Sequence, residues 1–170
     1  MEELHKPVLL SEVLEILQPS AGESYLDLTA GYAGHAGKIL AVTRNYKESV
    51  LVDRDINAIN FLSKKYPDGE FGLEMLHEDF YNAAQSLIEC GKTFDMILAD
   101  FGVSSPQLDN SDRGFSFKND GPLDMRMDRT QELSAETVIN HFPEKKLVEI
   151  FQEYGEESIG LAKKHVREIV

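Results

Sequence analysis

The strongest constraint on the fold is a regular alternation of short apolar segments and helical segments over the first hundred residues. The apolar segments fit strands at 24–28, 49–53, 71–76 and 94–100, and amphipathic helices are predicted at 7–17, 34–43, 55–66 and 81–90. Strands that alternate with helices in this way predict a parallel sheet with helices on both faces. The sequence therefore predicts an α/β fold.

The chain changes character after residue 100. Residues 101–130 are rich in Gly, Pro, Ser, Asp and Asn and show no sustained period, and a loop of this length in a compact domain is usually functional. Three helices are predicted beyond it. We therefore expect a core over 1–104, an active-site loop over 105–133 and a helical segment over 134–170. Because the chain stops on an apolar residue inside a helical pattern, we also expect it to be a fragment of a longer protein.

Composition limits the classes of function. The net charge of −13 is unfavourable for contacts with phosphate, so these residues alone are expected to bind RNA weakly. No apolar run reaches the roughly 18 residues of a membrane span, and the N-terminus lacks the layout of a secretory signal. The single cysteine, Cys90, excludes an intramolecular disulfide and is expected to be a small buried apolar residue. Together these features favour the cytoplasm.

Acidic residues stand at or just after the predicted strand ends, namely Asp27, Asp53, Asp79 and Asp100. Ligands of parallel α/β sheets bind at the carboxyl ends of the strands. The glycine-rich segment 27–37 joins the first strand to the next helix, but its spacing is not that of a dinucleotide site. It is either the floor of a site for an adenosyl ligand or simply a glycine-rich turn.

Asp53 is expected to accept both ribose hydroxyls of a nucleoside, although it is also a possible cap of the next helix, a role that Asp55 can fill. No arginine in the glycine loop can hold a pyrophosphate, which favours S-adenosylmethionine over dinucleotides and ATP. Phe80 is expected to pack on the adenine, with Asp79 or backbone reading its amine, unless Phe80 is a core residue. His35 is expected to contact the cofactor or to fill the helix start, and it has no partner at metal-ligand spacing.

Asp100 is the predicted catalytic residue. A ring-conjugated exocyclic amine is a poor nucleophile, and a carboxylate that accepts its N–H bond would localise the lone pair and help to remove the proton. No metal is needed for this chemistry. The alternative is a structural aspartate that caps the following loop.

Aromatic and basic residues in the loop leave two interpretations open. The three phenylalanines either stack on a flipped-out target base or pin the loop to the core; they are Phe101, Phe115 and Phe117. Arg113, Arg126 and Arg129 either bind phosphate or pair with neighbouring aspartates, and pairing is favoured for Arg126.

Longer motifs carry a family resemblance. They are HKPVLL (5–10), GH (34–35), DRD (53–55), GVSSPQLD (102–109), RGFSF (113–117), DGPLDMRMD (120–128) and YGEE (154–157). In this order the set closely resembles the bacterial ribosomal RNA small subunit methyltransferase H family, also called MraW. The resemblance implies a Rossmann-like class I methyltransferase core with a helical domain inserted after the fourth strand. It also implies S-adenosylmethionine-dependent methylation of the N4 amine of a cytidine in 16S ribosomal RNA, at the decoding centre of the small subunit.

The family's cofactor contacts map onto seven residues, of which Gln107 comes from the resemblance alone. They are Ala33, Gly34, His35, Asp53, Phe80, Asp100 and Gln107. Ala33 departs from the family pattern, which has a glycine there, and its methyl group is expected to crowd the cofactor or to forbid a positive φ. Family members are also longer, so two alternatives stay open: a cofactor-binding fragment without activity, and an amine methyltransferase that acts on another substrate.

Overall fold

In the computed structural model, which describes residues 7–170, four parallel strands of the described chain form one sheet. The strands are β1 (Tyr25–Asp27), β2 (Val50–Asp53), β3 (Glu74–His77) and β4 (Met96–Leu98). Their order is β3-β2-β1-β4. β1 pairs with β2 on one side and with β4 on the other, so it is an interior strand of the sheet.

One helix precedes β1 and four lie between the strands. They are α1 (Leu10–Leu17), α2 (Gly34–Thr43), α3 (Ile56–Lys65), the short α4 (Asp68–Phe71) and α5 (Phe80–Glu89), and all of them except α4 are predicted by the sequence. Asp55 caps α3 by accepting the N–H of Asn57, and Asp79 caps α5 in the same way, so both helices begin where a carboxylate satisfies free N–H groups. The third strand begins later than predicted, because residues 68–71 form α4 instead.

Apolar residues alternate between the two faces of the sheet. Tyr25 and Leu51 join one buried cluster with residues of α2 and α3, whereas Leu26, Val50 and Val52 join another with α5. Successive strand residues point to opposite faces, so this division follows directly from the strand period of two. Both faces are covered by helices, which confirms the α/β, Rossmann-like fold.

The first compact unit ends at Pro106, and the second spans Gln107–Val170. The boundary falls inside α6 (Ser105–Asp109), which is followed by a 3₁₀ helix at Ser111–Arg113. The three later helices are α7 (Ala135–His141), α8 (Glu144–Glu153) and α9 (Ile159–Ile169), as predicted. A separate core joins α8 and α9 through Leu147, Val148, Ala162 and Val166.

Two expectations from the sequence need correction. Cys90 is exposed, not buried, because α5 ends at Glu89 and the chain turns at Gly91, which has a φ of 68°. The segment 101–130 is also more ordered than a plain loop, since it contains α6 and the 3₁₀ helix. His5, in the first resemblance motif, lies outside the described residues. Within residues 7–170, no helix has the length and apolar character that crossing a membrane requires.

Candidate active site

The four acidic residues at the strand ends lie along one edge of the sheet. Asp27 and Asp53 are the last residues of β1 and β2, whereas Asp79 and Asp100 follow β3 and β4 by two residues. Because all the strand pairs are parallel, these positions share the carboxyl edge, as the sequence predicts.

The loop over residues 28–33 ties this edge together. Leu28 N–H donates to the carbonyl of Leu98 at the end of β4, at 2.9 Å. Two residues later Ala30 N–H donates to the carbonyl of Val52 in β2, also at 2.9 Å. Gly31 has a φ of 52° in the left-handed region, where glycine carries no steric penalty. The loop is therefore held against the ends of both strands that flank β1.

Asp53 faces this loop and anchors it. Its Oδ2 accepts the N–H of Gly31 at 2.7 Å, and its Oδ1 accepts the N–H of Asp55 at 2.8 Å. Burial raises the pKa of Asp53, while these two N–H groups oppose the rise. The helix cap is Asp55, so the alternative of Asp53 as the cap is wrong. A carboxylate has about four lone-pair sites, so two backbone bonds leave capacity for hydroxyl groups of a ligand.

Asp27 lies beneath the loop in a buried hydrogen-bonded group. It is 1 % exposed, and it accepts the Tyr25 hydroxyl at 2.7 Å and the Thr29 N–H at 3.0 Å. Burial raises the pKa of Asp27 to about 6, although both hydrogen bonds act against the rise. Burial and the neighbouring carboxyl also raise the pKa of Tyr25. This group supports the loop from the core side.

Ala33, Gly34 and His35 form the start of α2. Ala33 has a φ of 58°, so the expectation that its methyl group forbids a positive φ is wrong. That methyl group belongs to the buried core cluster, and Ala33 is only 3 % exposed. Gly34 lies against Pro7, and a Cβ added at Gly34 would therefore come within 3.0 Å of the Pro7 ring. His35 Nε2 lies 2.9 Å from the carbonyl of Val8, so the ring fills the helix start.

Phe80 and Phe101 meet at the same edge with accessible faces. Their ring centroids are 5.0 Å apart, and the side chains are 41 % and 71 % exposed. Phe80 is thus not a core residue and offers an apolar surface to a ligand. Asp79 caps α5 through its Oδ1, and its Oδ2 accepts the side-chain amide of Asn82. Both carboxylate oxygens of Asp79 therefore accept hydrogen bonds at the start of α5.

Asp100 is exposed, and its backbone N–H is held by a hydrogen bond. Its N–H donates to Thr29 Oγ1 at 2.7 Å, so the residue is linked to the 28–33 loop. The structure therefore brings Asp53 and Asp100 to two sides of one loop. Sequence reasoning missed Thr29 and Tyr25, although their spacing of two residues from Asp27 is the signal for such local hydrogen bonds.

In the second unit, the arginines predicted from the sequence make hydrogen bonds or ion pairs with nearby residues of the same segment. Gln107 is buried in α6. Asp124 is bound by Arg126, with Nε at 2.8 Å and Nη2 at 3.0 Å, and by Arg129 at 3.3 Å. Hydrogen bonds from Arg126 hold the pKa of Asp124 well below its usual range. Arg113 Nη2 donates to the carbonyls of residues 126 and 127. Pairing is thus confirmed for Arg126.

The two phenylalanines of the loop in the second unit differ in exposure. Phe117 is fully exposed and does not pin its loop to a core, whereas Phe115 is half-buried. In the part of the chain that the structure describes, no group of His, Cys, Asp and Glu side chains is arranged to hold a metal ion.

The parallel sheet and its covered faces define an α/β, Rossmann-like fold, and the family match that follows makes it the fold of a methyltransferase. The family model for the MraW methylase family matches residues 2–170. The chain belongs to the MraW methylase family.

Curated relatives agree with this assignment. The chain is similar to the ribosomal RNA small subunit methyltransferase H of Halothermothrix orenii, with 43 % identity over 90 % of this chain and 49 % of the relative. The protein of that name from Mycoplasmopsis agalactiae is 39 % identical over 100 % of this chain and 56 % of the relative. The protein of that name from Carboxydothermus hydrogenoformans is 44 % identical over 92 % of this chain and 50 % of the relative. The chain spans about half the length of the curated relatives it matches.

Proposed function

We propose that this chain binds S-adenosylmethionine at the carboxyl edge of the sheet and serves the methylation of a cytidine N4 amine in 16S ribosomal RNA of the small subunit. The single observation that supports this most is the 28–33 loop, which contacts Asp53 on one side and Asp100 on the other. An adenosyl ligand held by Asp53 would thus lie beside a carboxylate. The location that this function implies is the cytoplasm.

The residues at this edge fit the cofactor. Asp53 has lone pairs left for two ribose hydroxyls, and Phe80 presents an accessible aromatic face for the adenine. A Cβ added at Gly31 would have no neighbour closer than 3.9 Å, so the loop surface is open there. Ala33, Gly34, His35 and Gln107 are proposed as further contacts on the family resemblance.

The proposed chemistry gives Asp100 a catalytic role besides the cofactor contact that the family resemblance implies. When bound, S-adenosylmethionine supplies an electrophilic methyl group on a sulfonium that carries its own leaving group. The carboxylate of Asp100 accepts an N–H bond from the exocyclic amine, which localises the nitrogen lone pair, and it takes the proton that the amine releases. The remaining acceleration comes from holding the two reactants in line.

Cofactor binding is tested by calorimetric titration of S-adenosylmethionine into the chain. Asp53→Ala is expected to weaken binding by about 10- to 100-fold, because it removes hydrogen bonds to a charged acceptor. Asp95→Asn is the matched control, since Asp95 precedes β4 at the opposite edge and bonds to Ser24. Equal affinities of Asp53→Ala and the wild-type chain would contradict the proposed site.

Methyl transfer is tested with tritiated S-adenosylmethionine and small ribosomal subunits from cells that lack a family member. One cytidine should become labelled at N4, as identified by mass spectrometry of the nucleosides. Asp100→Asn is expected to lower kcat by about 100-fold or more, and Asp95→Asn should leave it unchanged. Undiminished turnover by Asp100→Asn would refute the role of Asp100.

A second candidate function is a module that binds S-adenosylmethionine without turning it over. The net charge of −13 favours it, as does the engagement of Arg126 and Arg129 with Asp124 instead of with phosphate. Calorimetric binding of the cofactor together with no labelling of subunits would select this candidate over the first.

A further inference from the structure

Asp100 lies beyond the part of β4 that the sheet holds in place. The last paired residue of β4 is Leu98, opposite Asp27, and the ladder ends there. Two residues later the N–H of Asp100 donates to the side chain of Thr29, with Oγ1 at 2.7 Å. The position of Asp100 is therefore set by a side-chain hydrogen bond to the neighbouring loop and not by strand pairing.

Thr29 is itself held firmly. Its N–H donates to Asp27 Oδ1 at 3.0 Å, and Asp27 is fixed in turn by the hydroxyl of the buried Tyr25 at 2.7 Å. The residues on either side of Thr29 bond to β4 and β2 through Leu28 and Ala30. Threonine is β-branched and has few χ1 states, so its Oγ1 has a well-defined direction. A continuous series of hydrogen bonds thus runs from the core through Thr29 to Asp100.

We infer that Thr29 is a positioning residue for Asp100 in methyl transfer. This inference rests on the proposed function and adds a residue to it. The Thr29 hydroxyl accepts the Asp100 N–H and so keeps that residue in a single place relative to the cofactor-binding loop. Because a displacement of about 1 Å at a reacting group can cost about 100-fold in rate, an acceptor that fixes Asp100 affects turnover more than binding.

The test compares Thr29→Val, which removes the acceptor and keeps the shape, with Thr29→Ser, which keeps the hydroxyl. We expect Thr29→Val to lower kcat by about 10- to 100-fold with KM for the subunit changed by less than about threefold, and Thr29→Ser to recover most of kcat. Thr43→Val is the matched control. Thr43 is a buried threonine whose Oγ1 has no hydrogen-bond partner among residues 7–170, so its substitution should leave kcat unchanged.

A second measurement keeps the inference separate from the proposed function. In a hydrogen-exchange experiment on the free chain, the Asp100 amide should exchange at least about tenfold faster in Thr29→Val than in the wild type and in Thr29→Ser. If the wild-type chain methylates no subunit, the proposed function fails, and the exchange rates still decide whether Thr29 holds Asp100. Unchanged exchange at Asp100, or an unchanged kcat in an active Thr29→Val chain, overturns the inference.

Discussion

Replacing Asp27 with asparagine should change how the stability of the chain depends on pH. Asp27 is 1 % exposed, and burial raises its pKa from the ordinary 3.8 to about 6. The asparagine side chain has nearly the same shape and keeps an oxygen for the Thr29 N–H, while its amide can donate to the Tyr25 oxygen. The substitution therefore removes the titration with little loss of packing.

The sign of the effect follows from proton binding. Between pH 3.8 and about 6 the folded state binds more protons at Asp27 than the unfolded state does, so the free energy of unfolding falls as the pH rises through this window. A shift from 3.8 to about 6, at about 1.4 kcal/mol per pH unit, corresponds to a loss of about 3 kcal/mol above pH 6. The Asp27→Asn chain should not show this loss. Relative to wild type, it should gain about 2 kcal/mol between pH 4 and pH 7, because part of the total loss has already occurred at pH 4.

This difference is measured by urea unfolding between pH 4 and pH 7.5. The unfolding is monitored by circular dichroism, because the chain has no tryptophan for fluorescence. Other titrating groups cancel when wild type and variant are compared at each pH. Asp95→Asn serves as a control with little pH dependence in this range. Hydrogen bonds from Ser24 lower the pKa of Asp95 from its ordinary 3.8, so its contribution to stability changes with pH below about 3.8, and the difference between this variant and wild type should stay nearly constant from pH 4 to pH 7.5. A constant difference between Asp27→Asn and wild type across the range would refute the reasoning.

Three further outcomes are expected. Thr43→Val should raise the free energy of unfolding by about 1 kcal/mol in thermal or urea unfolding, because it removes a buried hydroxyl without a partner among residues 7–170; a clear loss of stability would contradict this. Asp124→Asn should lower the free energy of unfolding by about 2 kcal/mol, because Arg126 and Arg129 lose their carboxylate, and an unchanged urea midpoint would count against that. Ala33→Gly should leave the calorimetric Kd for S-adenosylmethionine within about threefold, since the Ala33 methyl group packs in the core; a tenfold gain in affinity would show that it crowds the cofactor.

Much of the fold could be predicted because its determinants are local. Each strand is a short apolar run. Tyr25 and Leu26 lie on opposite faces of the sheet, and each is buried in a hydrophobic cluster. Asp55 marks the start of α3 through a cap that depends on neighbouring residues alone. The shared edge of Asp53 and Asp100 followed from parallel pairing, which the strand–helix alternation already indicates.

The remaining features depend on tertiary contacts or backbone angles that a residue pattern does not record. Ala33 adopts a positive φ that is unusual for a residue with a Cβ, and the surrounding core holds it there. The exposure of Cys90 depends on where α5 ends, and a helix end shifts with the following turn. The link from Thr29 to Asp100 spans 71 positions along the chain, so only the folded sheet brings the two together.

The separate core that joins α8 and α9 has an evolutionary consequence. Its buried residues all come from the helical segment itself, so the packing that holds this hairpin draws on none of the strands. Substitutions on the outer surface of the hairpin can accumulate without altering the hydrophobic interior of the sheet. Sequence change in this hairpin and sequence change in the sheet can therefore proceed independently of each other.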